Sequence, residues 1–432
     1  AIKDYTKVIN LKPDFAEAFN SRGNSKIELT DYKGAINDYT KAIKINPDFA
    51  EAYFGRGYAK NEIQNNQGAI NDYNKAIKLK PDFAEAFNNR GLVKDALQDY
   101  QGAIKDYTKS IKLKPDFAEA YFNRGVTKSE LKKYKDAIKD YTKAIEINPD
   151  YAEAFNNRGL LKYELQDYQG ALKDYTKAIK IKPDYVEVYS NRGLVKYELQ
   201  DYQGALKDYT KAIKIKSDFA GAYSNRGLAK NKLQNYQGAI NDYNKAIKLK
   251  PDYAEAFNNR GMTKSELQDY QGAINDFNKA IKLKSDYADV YFNRGDTKYE
   301  LQDYQGAIKD YTQAIKINSN FVEAYYNRGL VKDEIQDYQG AIKDYTKAIQ
   351  IKPNYFEAFY NRGNTKSKLE DYQGAIKDYT KVINLKPNFA DAYYNRGLFK
   401  ILIRTDGCSD LNKAAELGLL EAYELMRKYC KR

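Results

Sequence analysis

Apolar residues recur along this chain at helical spacing, and the whole pattern repeats every 34 residues. In residues 84–117, Ala84 and Phe87 fall on one side of a first helix, and Ala103 and Tyr107 do the same for a second. Spacings of three and four residues place side chains on one face of an α-helix. Each 34-residue unit therefore predicts two amphipathic helices, hereafter its first and second helix.

The repeat runs without insertion from Ala16 to Phe389, and positions 1 to 34 are counted from the start of each unit. All nine prolines fall at position 32, twelve of the 26 glycines at position 8 and ten more at position 19. Proline cannot continue a helix, and small residues let paired helices approach closely. This regularity predicts eleven helix–turn–helix units, which begin at Ala16, Ala50, Ala84, Ala118, Ala152, Val186, Ala220, Ala254, Ala288, Val322 and Phe356.

Both ends of the chain depart from the full unit. Residues 1–15 match only the second half of a unit, whereas residues 16–389 hold the eleven full units. Residues 390–418 form a divergent twelfth unit, and residues 419–432 predict a further amphipathic helix. Because the end of a helical array needs a polar outer face to stay in solution, we expect this last helix to cap the array.

Acidic residues near the helix starts predict caps. Asp99 is placed to cap a second helix through a turn at residues 99–102. Asp116 and Glu119, three residues apart, predict a capping box for the next first helix. Both arrangements supply acceptors for backbone N–H groups that the first turn of a helix leaves unpaired.

Arginine stands at position 7 of every unit, and every full unit carries aspartate at position 23. An unpaired guanidinium between two packed helices would be costly to bury. We therefore expect ion pairs between the two helices of each unit, for example Arg90 with Asp106 and Arg158 with Asp174. Their expected role is structural, and the alternative is a stripe of arginines that binds a ligand.

The charge of the chain raises the question of a nucleic-acid partner, because 72 basic residues against 59 acidic ones give a net charge of +13. The lysines concentrate on the predicted second helices, as in Lys173, Lys177, Lys180 and Lys182. The first helices carry glutamate instead, as in Glu153 and Glu164. We therefore interpret the lysines as a solvated back and expect no nucleic-acid partner. No apolar run reaches the roughly 18 residues of a membrane span, so we expect no membrane partner either.

The composition gives little support for catalysis. The chain has no histidine, which removes the commonest general base and the commonest metal ligand. Its glycines are isolated rather than gathered in a phosphate-binding loop, and Cys408 and Cys430 have no histidine to activate them. We expect a protein that is not an enzyme and that holds no metal or cofactor.

The two cysteines flank the predicted last helical hairpin. A helix that leaves from Cys408, turns at Gly418 and returns to Cys430 brings the two sulfur atoms to the same end. We expect the two cysteines to be close neighbours, with a disulfide in an oxidising compartment and buried thiols otherwise. The cytoplasm is favoured, and an extracytoplasmic location stays open because the sequence begins at Ala1.

Taken together, an aromatic at position 4, Gly at 8, Ala at 20, an aromatic at 24, Ala at 27 and Pro at 32 form a pattern that resembles the tetratricopeptide repeat family. Arginine at position 7 and lysine at position 11 depart from that pattern. The resemblance implies an all-α, right-handed superhelical solenoid of about twelve repeats with a C-terminal capping helix. It also implies that first helices line a concave groove, and that the protein binds proteins or peptides.

Asparagine occupies position 6 in ten consecutive units: Asn89, Asn123, Asn157, Asn191, Asn225, Asn259, Asn293, Asn327, Asn361 and Asn395. A primary amide offers a donor and an acceptor, which matches the backbone of an extended peptide. The row resembles the asparagine ladder of the O-linked N-acetylglucosamine transferases, which implies a peptide-binding role. The alternative is that these amides bond neighbouring repeats. Glutamates beside the row favour a neutral to basic peptide.

These observations predict a scaffold or adaptor that binds an extended peptide or a partner domain in its groove. The alternative is a structural protein that assembles with copies of itself. In that case the helix predicted at residues 1–11, which lacks a first-helix partner, would be the contact between copies.

Overall fold

The computed structural model describes residues 1–430, and every regular element in that range is an α-helix. The chain divides into two compact units, Ala1–Ser217 and a second that begins at Asp218. Each unit is an array of helix pairs in which a first helix packs against its own second helix and a second helix against the next first helix. The prediction of an all-α solenoid of helix pairs is confirmed. None of the helices in the described residues is long and apolar enough to cross a membrane.

The first unit contains one lone second helix followed by six helix pairs. First helices have 13 residues and second helices 14, and the lone helix is shorter. The helices are α1 Ile2–Leu11, α2 Ala16–Glu28, α3 Tyr32–Ile45, α4 Ala50–Glu62, α5 Asn66–Leu79, α6 Ala84–Ala96, α7 Tyr100–Leu113, α8 Ala118–Glu130, α9 Tyr134–Ile147, α10 Ala152–Glu164, α11 Tyr168–Ile181, α12 Val186–Glu198 and α13 Tyr202–Ile215.

The second unit contains five further pairs of the same lengths, then one first helix of the usual 13 residues and two helices of nine residues. The helices are α14 Ala220–Lys232, α15 Tyr236–Leu249, α16 Ala254–Glu266, α17 Tyr270–Leu283, α18 Ala288–Glu300, α19 Tyr304–Ile317, α20 Val322–Glu334, α21 Tyr338–Ile351, α22 Phe356–Lys368, α23 Tyr372–Leu385, α24 Ala390–Leu402, α25 Cys408–Glu416 and α26 Glu421–Tyr429.

A left-handed residue ends each first helix. In the turn after α6, Gln98 has φ 63°, and the N–H of Asp99 donates to the carbonyl of Lys94 at 2.8 Å. The Asp99 carboxylate then accepts from the N–H of Gly102 at 3.0 Å and caps α7 as expected. The turn itself lies slightly earlier than residues 99–102, because α7 already begins at Tyr100.

The expected capping box is wrong. Helix α8 begins at Ala118, so its N-cap residue is Phe117, which makes no side-chain cap hydrogen bond. A capping box with Glu119 would require Asp116 to be the N-cap residue, but the N-cap is the next residue along the chain. The N–H of Ala120 is instead satisfied by the carbonyl of Phe117 at 3.1 Å. A one-residue shift of the helix start is enough to remove a cap that depends on register.

The core of each pair is built from one large ring and several small residues. Tyr107 and Ala103 of α7 are almost fully buried. A Cβ atom added to Gly91 would lie 2.7 Å from the ring of Tyr107, so only glycine lets the two helices approach this closely. In the other full 34-residue repeats, glycine at position 8 likewise contacts the ring at position 24. Burying a tyrosine removes about 150–250 Å² from water, which makes this ring a main contributor to the pair.

The last three helices close the second unit. Helix α25 has nine residues rather than 14, and Ala422 of α26 packs against its Ala414 and Ala415. Cys408 and Cys430 form a disulfide with Cα atoms 5.7 Å apart, so the expected neighbourhood of the two cysteines is confirmed. The predicted capping segment began at residue 419, whereas α26 begins at Glu421. Residues 431 and 432 of that segment lie outside the described residues.

Candidate binding face of the first helices

A triad of one aspartate, one arginine and one lysine connects the two helices of each 34-residue repeat. Arg90 donates from Nε to Oδ2 of Asp106 at 2.8 Å and from Nη2 to Oδ1 at 2.6 Å. Lys94, at position 11, adds a contact from Nζ to Oδ2 at 2.7 Å. Asp106 is only 3% exposed. Arg158 and Asp174 have the same two bonds at 2.9 and 2.7 Å.

The aspartate is the centre of this triad. Burial alone would raise the pKa of Asp38, but hydrogen bonds and charge from Arg22 and Lys26 outweigh burial and hold that pKa below its ordinary value. Lysine at position 11 departs from the pattern that the repeat resembles, and its partner was not predicted from the sequence. Its recurrence together with arginine at position 7 was the available signal, since the two positions lie one turn apart on the first helix.

The arginine also reaches the preceding repeat. Nη1 of Arg90 donates to Oδ1 of Asn74 at 2.6 Å, and Nη1 of Arg124 donates to the hydroxyl of Thr108 at 3.0 Å. The guanidinium of Arg90 lies over the ring of Phe87, 5.4 Å from its centroid. These contacts use one N–H donor on each of the three nitrogens of the Arg90 guanidinium within the protein.

These triads account for most of the net charge. Twelve triads, each with two cations and one carboxylate, carry twelve surplus positive charges, against +13 for the whole chain. The remaining basic and acidic residues are therefore nearly equal in number. The surfaces of the first and second helices therefore differ in where the exposed acidic and basic residues lie.

The position-6 asparagines are half-buried on the first helices. Several donate from Nδ2 to a side chain of the preceding first helix: Asn123 to Asn88 at 3.1 Å, Asn191 to Asn156 at 3.2 Å, Asn293 to Asn258 at 3.0 Å, Asn327 to Asp296 at 2.9 Å, Asn361 to the hydroxyl of Tyr326 at 2.8 Å, and Asn395 to the hydroxyl of Tyr360 at 3.3 Å. These amides therefore form hydrogen bonds between neighbouring repeats.

Other members of the row accept a hydrogen bond instead. Asn89, Asn157 and Asn259 accept at Oδ1 from the preceding asparagine on their own helix, at 3.2, 3.1 and 3.5 Å. Asn225 occupies the same position of α14. Because a primary amide has two N–H groups and a carbonyl oxygen, each contact uses only part of its capacity.

Open depressions lie between consecutive first helices. In the first unit one of about 500 Å³ includes Asn24, Glu28 and Tyr39, and another of about 350 Å³ includes Leu160 and Glu164. In the second unit they measure about 310, 270 and 320 Å³, and the residues that neighbouring depressions share are Asp296, Glu300 and Leu330. We call this surface, formed by positions 6, 9, 12 and 13 of the first helices, the first-helix face.

Glutamates rim the first-helix face. Position 13 is an exposed glutamate in eight repeats: Glu28, Glu62, Glu130, Glu164, Glu198, Glu266, Glu300 and Glu334. Leu92, Leu160 and Met262 at position 9 are about 40% exposed and add apolar surface between these acids. Exposed lysines such as Lys173 and Lys207 lie on the second helices. Residues 1–430 hold no group of His, Cys, Asp and Glu side chains placed to bind a metal ion.

A family model described as "TPR repeat" matches residues 23–63, 57–94, 96–132, 159–200, 194–234, 230–264, 265–302, 295–332, 334–370 and 363–400. Two models described as "Tetratricopeptide repeat" match residues 118–151 and 140–173. No curated protein sequence matches the chain.

Solved structures of similar arrangement include YrrB, described as a TPR protein with an unusual peptide-binding site. It is 22% identical, with 43% of this chain and 95% of that chain covered and a TM-score of 0.39. MamA is 27% identical, with 40% and 94% covered and a TM-score of 0.37. Yeast Tom70 is 18% identical, with 91% and 97% covered and a TM-score of 0.44.

Proposed function

The chain belongs to the tetratricopeptide repeat family, whose members are generally protein-interaction scaffolds, and from this premise we propose that it binds an extended polypeptide along its first-helix face. The bound polypeptide is neutral to basic, and the chain has no catalytic role of its own. The observation that carries the proposal is the composition of that face: open depressions, partly exposed leucines and a rim of glutamates.

Each part of this composition suits a polypeptide. The depressions repeat with the helix pairs, so they offer successive places for side chains of an extended segment. The exposed leucines supply apolar contact. The glutamates attract cationic side chains and repel acidic ones, which gives a preference by charge.

The position-6 asparagines have a smaller role in this proposal than a dedicated ladder would give them. One N–H of Asn123, Asn191 or Asn293 is already bonded within the array. The second N–H and the carbonyl oxygen are the groups that would meet the peptide backbone. We therefore propose that these amides orient the polypeptide while also joining neighbouring repeats.

Selection of peptides from a random displayed library on the purified chain tests the proposal. Enriched peptides should carry arginine or lysine and few acids, and their affinity should fall as salt is raised. Reversing three rim charges by Glu130→Lys, Glu164→Lys and Glu198→Lys should weaken binding at least tenfold.

The matched control reverses three exposed charges on the second helices of the same unit. Lys139→Glu, Lys173→Glu and Lys207→Glu change the net charge by the same amount in the opposite sense. Affinity that is kept or increased in the control and lost in the first variant supports the first-helix face. Loss of affinity in the control alone would place the site on the second helices and refute the proposal.

A further inference from the structure

Position 9 is leucine in six of the twelve repeats and an acid in only one, Asp296. Its Oδ1 accepts from the hydroxyl of Tyr311 at 2.7 Å and from Nδ2 of Asn327 at 2.9 Å. Both bonds go to the same oxygen, and the carboxylate lines a depression of about 270 Å³ between α18 and α20. Asp296 is thus held in place by the array while part of it faces open space.

Asp296 has no counter-ion among the residues that the structure describes. Each aspartate at position 23 is a buried acid that pairs with an arginine and a lysine, as Asp310 does with Arg294 and Lys298. No lysine or arginine in residues 1–430 forms an ion pair with Asp296, which accepts only neutral donors. The neighbouring acid in the depression, Glu300, adds a second negative charge rather than a compensating positive one.

This arrangement works against stability. Burial raises the pKa of Asp296 above its ordinary value, the bonds from Tyr311 and Asn327 oppose that effect, and Glu300 adds to it. Because the folded-state pKa is raised, the ionised form at neutral pH is less favourable in the folded chain than in the unfolded one. Leucine at the same position of other repeats avoids this cost. Residues that lower stability in this way are often retained for binding.

We propose that this depression is a specificity pocket for a cationic side chain of the polypeptide that lies along the first-helix face. The inference rests on the function proposed above and names the side chain recognised. A cationic side chain of the polypeptide would supply the positive counter-charge for Asp296. Its hydrogen bond to the carboxylate would be charge-assisted, and such bonds are about twice as strong as neutral ones. The partly exposed ring of Tyr299 lines the same depression and offers a face to a planar guanidinium.

The test compares two single charge removals on α18. Asp296→Asn keeps the shape and the acceptor, and Asn364 shows that this chain accommodates asparagine there: its Oδ1 accepts from Tyr379 at 2.9 Å and from Asn395 at 3.5 Å. The control, Asp289→Asn, removes an exposed charge outside the depression. Fluorescence anisotropy with labelled nona-arginine should show about tenfold weaker binding for Asp296→Asn and less than a twofold change for Asp289→Asn.

A transplant completes the test. Oδ1 of Asn24 accepts a hydrogen bond from the hydroxyl of Tyr39 at 2.7 Å, and Asn24 lies in a depression with Glu28. Asn24→Asp therefore reproduces the pair Asp296 and Glu300 in the first unit. Added to Asp296→Asn, it should restore most of the affinity for nona-arginine. Equal binding by wild type and both single variants would overturn the pocket. In that case the library selection would still decide separately whether the first-helix face binds polypeptides.

A stability measurement separates this role from a structural one. Asp296→Asn should melt at the same temperature as wild type or higher at pH 7, because it removes an uncompensated buried charge. Weaker binding together with a lower melting temperature would mean that the carboxylate supports the fold, and the pocket assignment would then be wrong.

Discussion

At the scale of single residues, the charged triad is the most regular feature of the molecule. A carboxylate that is almost fully buried receives two cations from one turn of the first helix, and the arginine continues to the preceding repeat. Arginine at position 7 indicated the pair with position 23 from the sequence. The lysine escaped assignment because its reach to the same carboxylate depends on side-chain direction, which spacing alone does not give.

Removing the carboxylate should cost much more than removing the lysine. Asp106→Asn leaves Arg90 and Lys94 facing each other without a counter-ion, and we expect it to lower the free energy of unfolding by about 2–4 kcal/mol. Lys94→Met leaves the bidentate arginine pair in place and should cost about 1 kcal/mol or less. Urea denaturation followed by circular dichroism measures both, and equal costs would contradict the central role of the aspartate.

The triads also predict how stability depends on pH. The folded-state pKa values of Asp38 and Asp410 are lowered because their bonds to arginine and lysine outweigh burial, which alone would raise them. A lowered pKa gives stability that is present above the unfolded-state value, about 4, and is lost as pH falls through the folded-state value. The melting temperature should be constant near neutral pH and should fall steeply below about pH 4. A melting temperature that is unchanged at pH 3 would refute this assignment.

At the scale of elements, the turn after each first helix uses a residue that glycine would fit better. Gln98 has φ 63°, a conformation that costs a residue with a side chain about 1 kcal/mol. Gln98→Gly should therefore raise the free energy of unfolding by up to about 1 kcal/mol. Lys105→Gly, at an exposed site in the interior of α7, should lower it by a similar amount because glycine weakens helix interiors. Urea titrations of the two variants should shift in opposite directions, and a shared direction would be contrary to this account.

The C-terminal hairpin gives a second prediction at this scale. The Cys408–Cys430 disulfide closes a segment that contains the whole of α26. Its replacement by Cys408→Ala and Cys430→Ala should destabilise this segment by about 3 kcal/mol according to the chain-entropy relation. Hydrogen exchange should speed up in α25 and α26 and stay unchanged in α2 to α12. Uniform loss of protection along the chain would show that the hairpin does more than cap the second unit.

The helices themselves were largely predictable from the sequence. Period, order and approximate bounds follow from apolar spacing and from the fixed places of glycine and proline, which are local properties. The capping box was wrong because a shift of one residue in the helix start removes it. The partners of the position-6 amides were left open, since they depend on how far one first helix lies from the next.

At the scale of the whole molecule, the distribution of charge matters more than its sum. The surplus of positive charge resides in the triads, and the exposed acids line the first helices while lysines cover the second. The sequence pattern located these two surfaces, because each of the 34 positions lies at a fixed place in the repeat. They did not reveal the division of the chain near residue 217, which leaves the 34-residue period unbroken.

The most direct test of the central claim is a hydrogen-exchange footprint of a library-selected basic peptide on the intact chain. We expect slower exchange in first helices such as α16, α18 and α20, where the glutamate rim and the open depressions lie, and little change in α17, α19 and α21. Binding to the first-helix face would thereby be located without any substitution. Protection confined to the second helices would contradict the account.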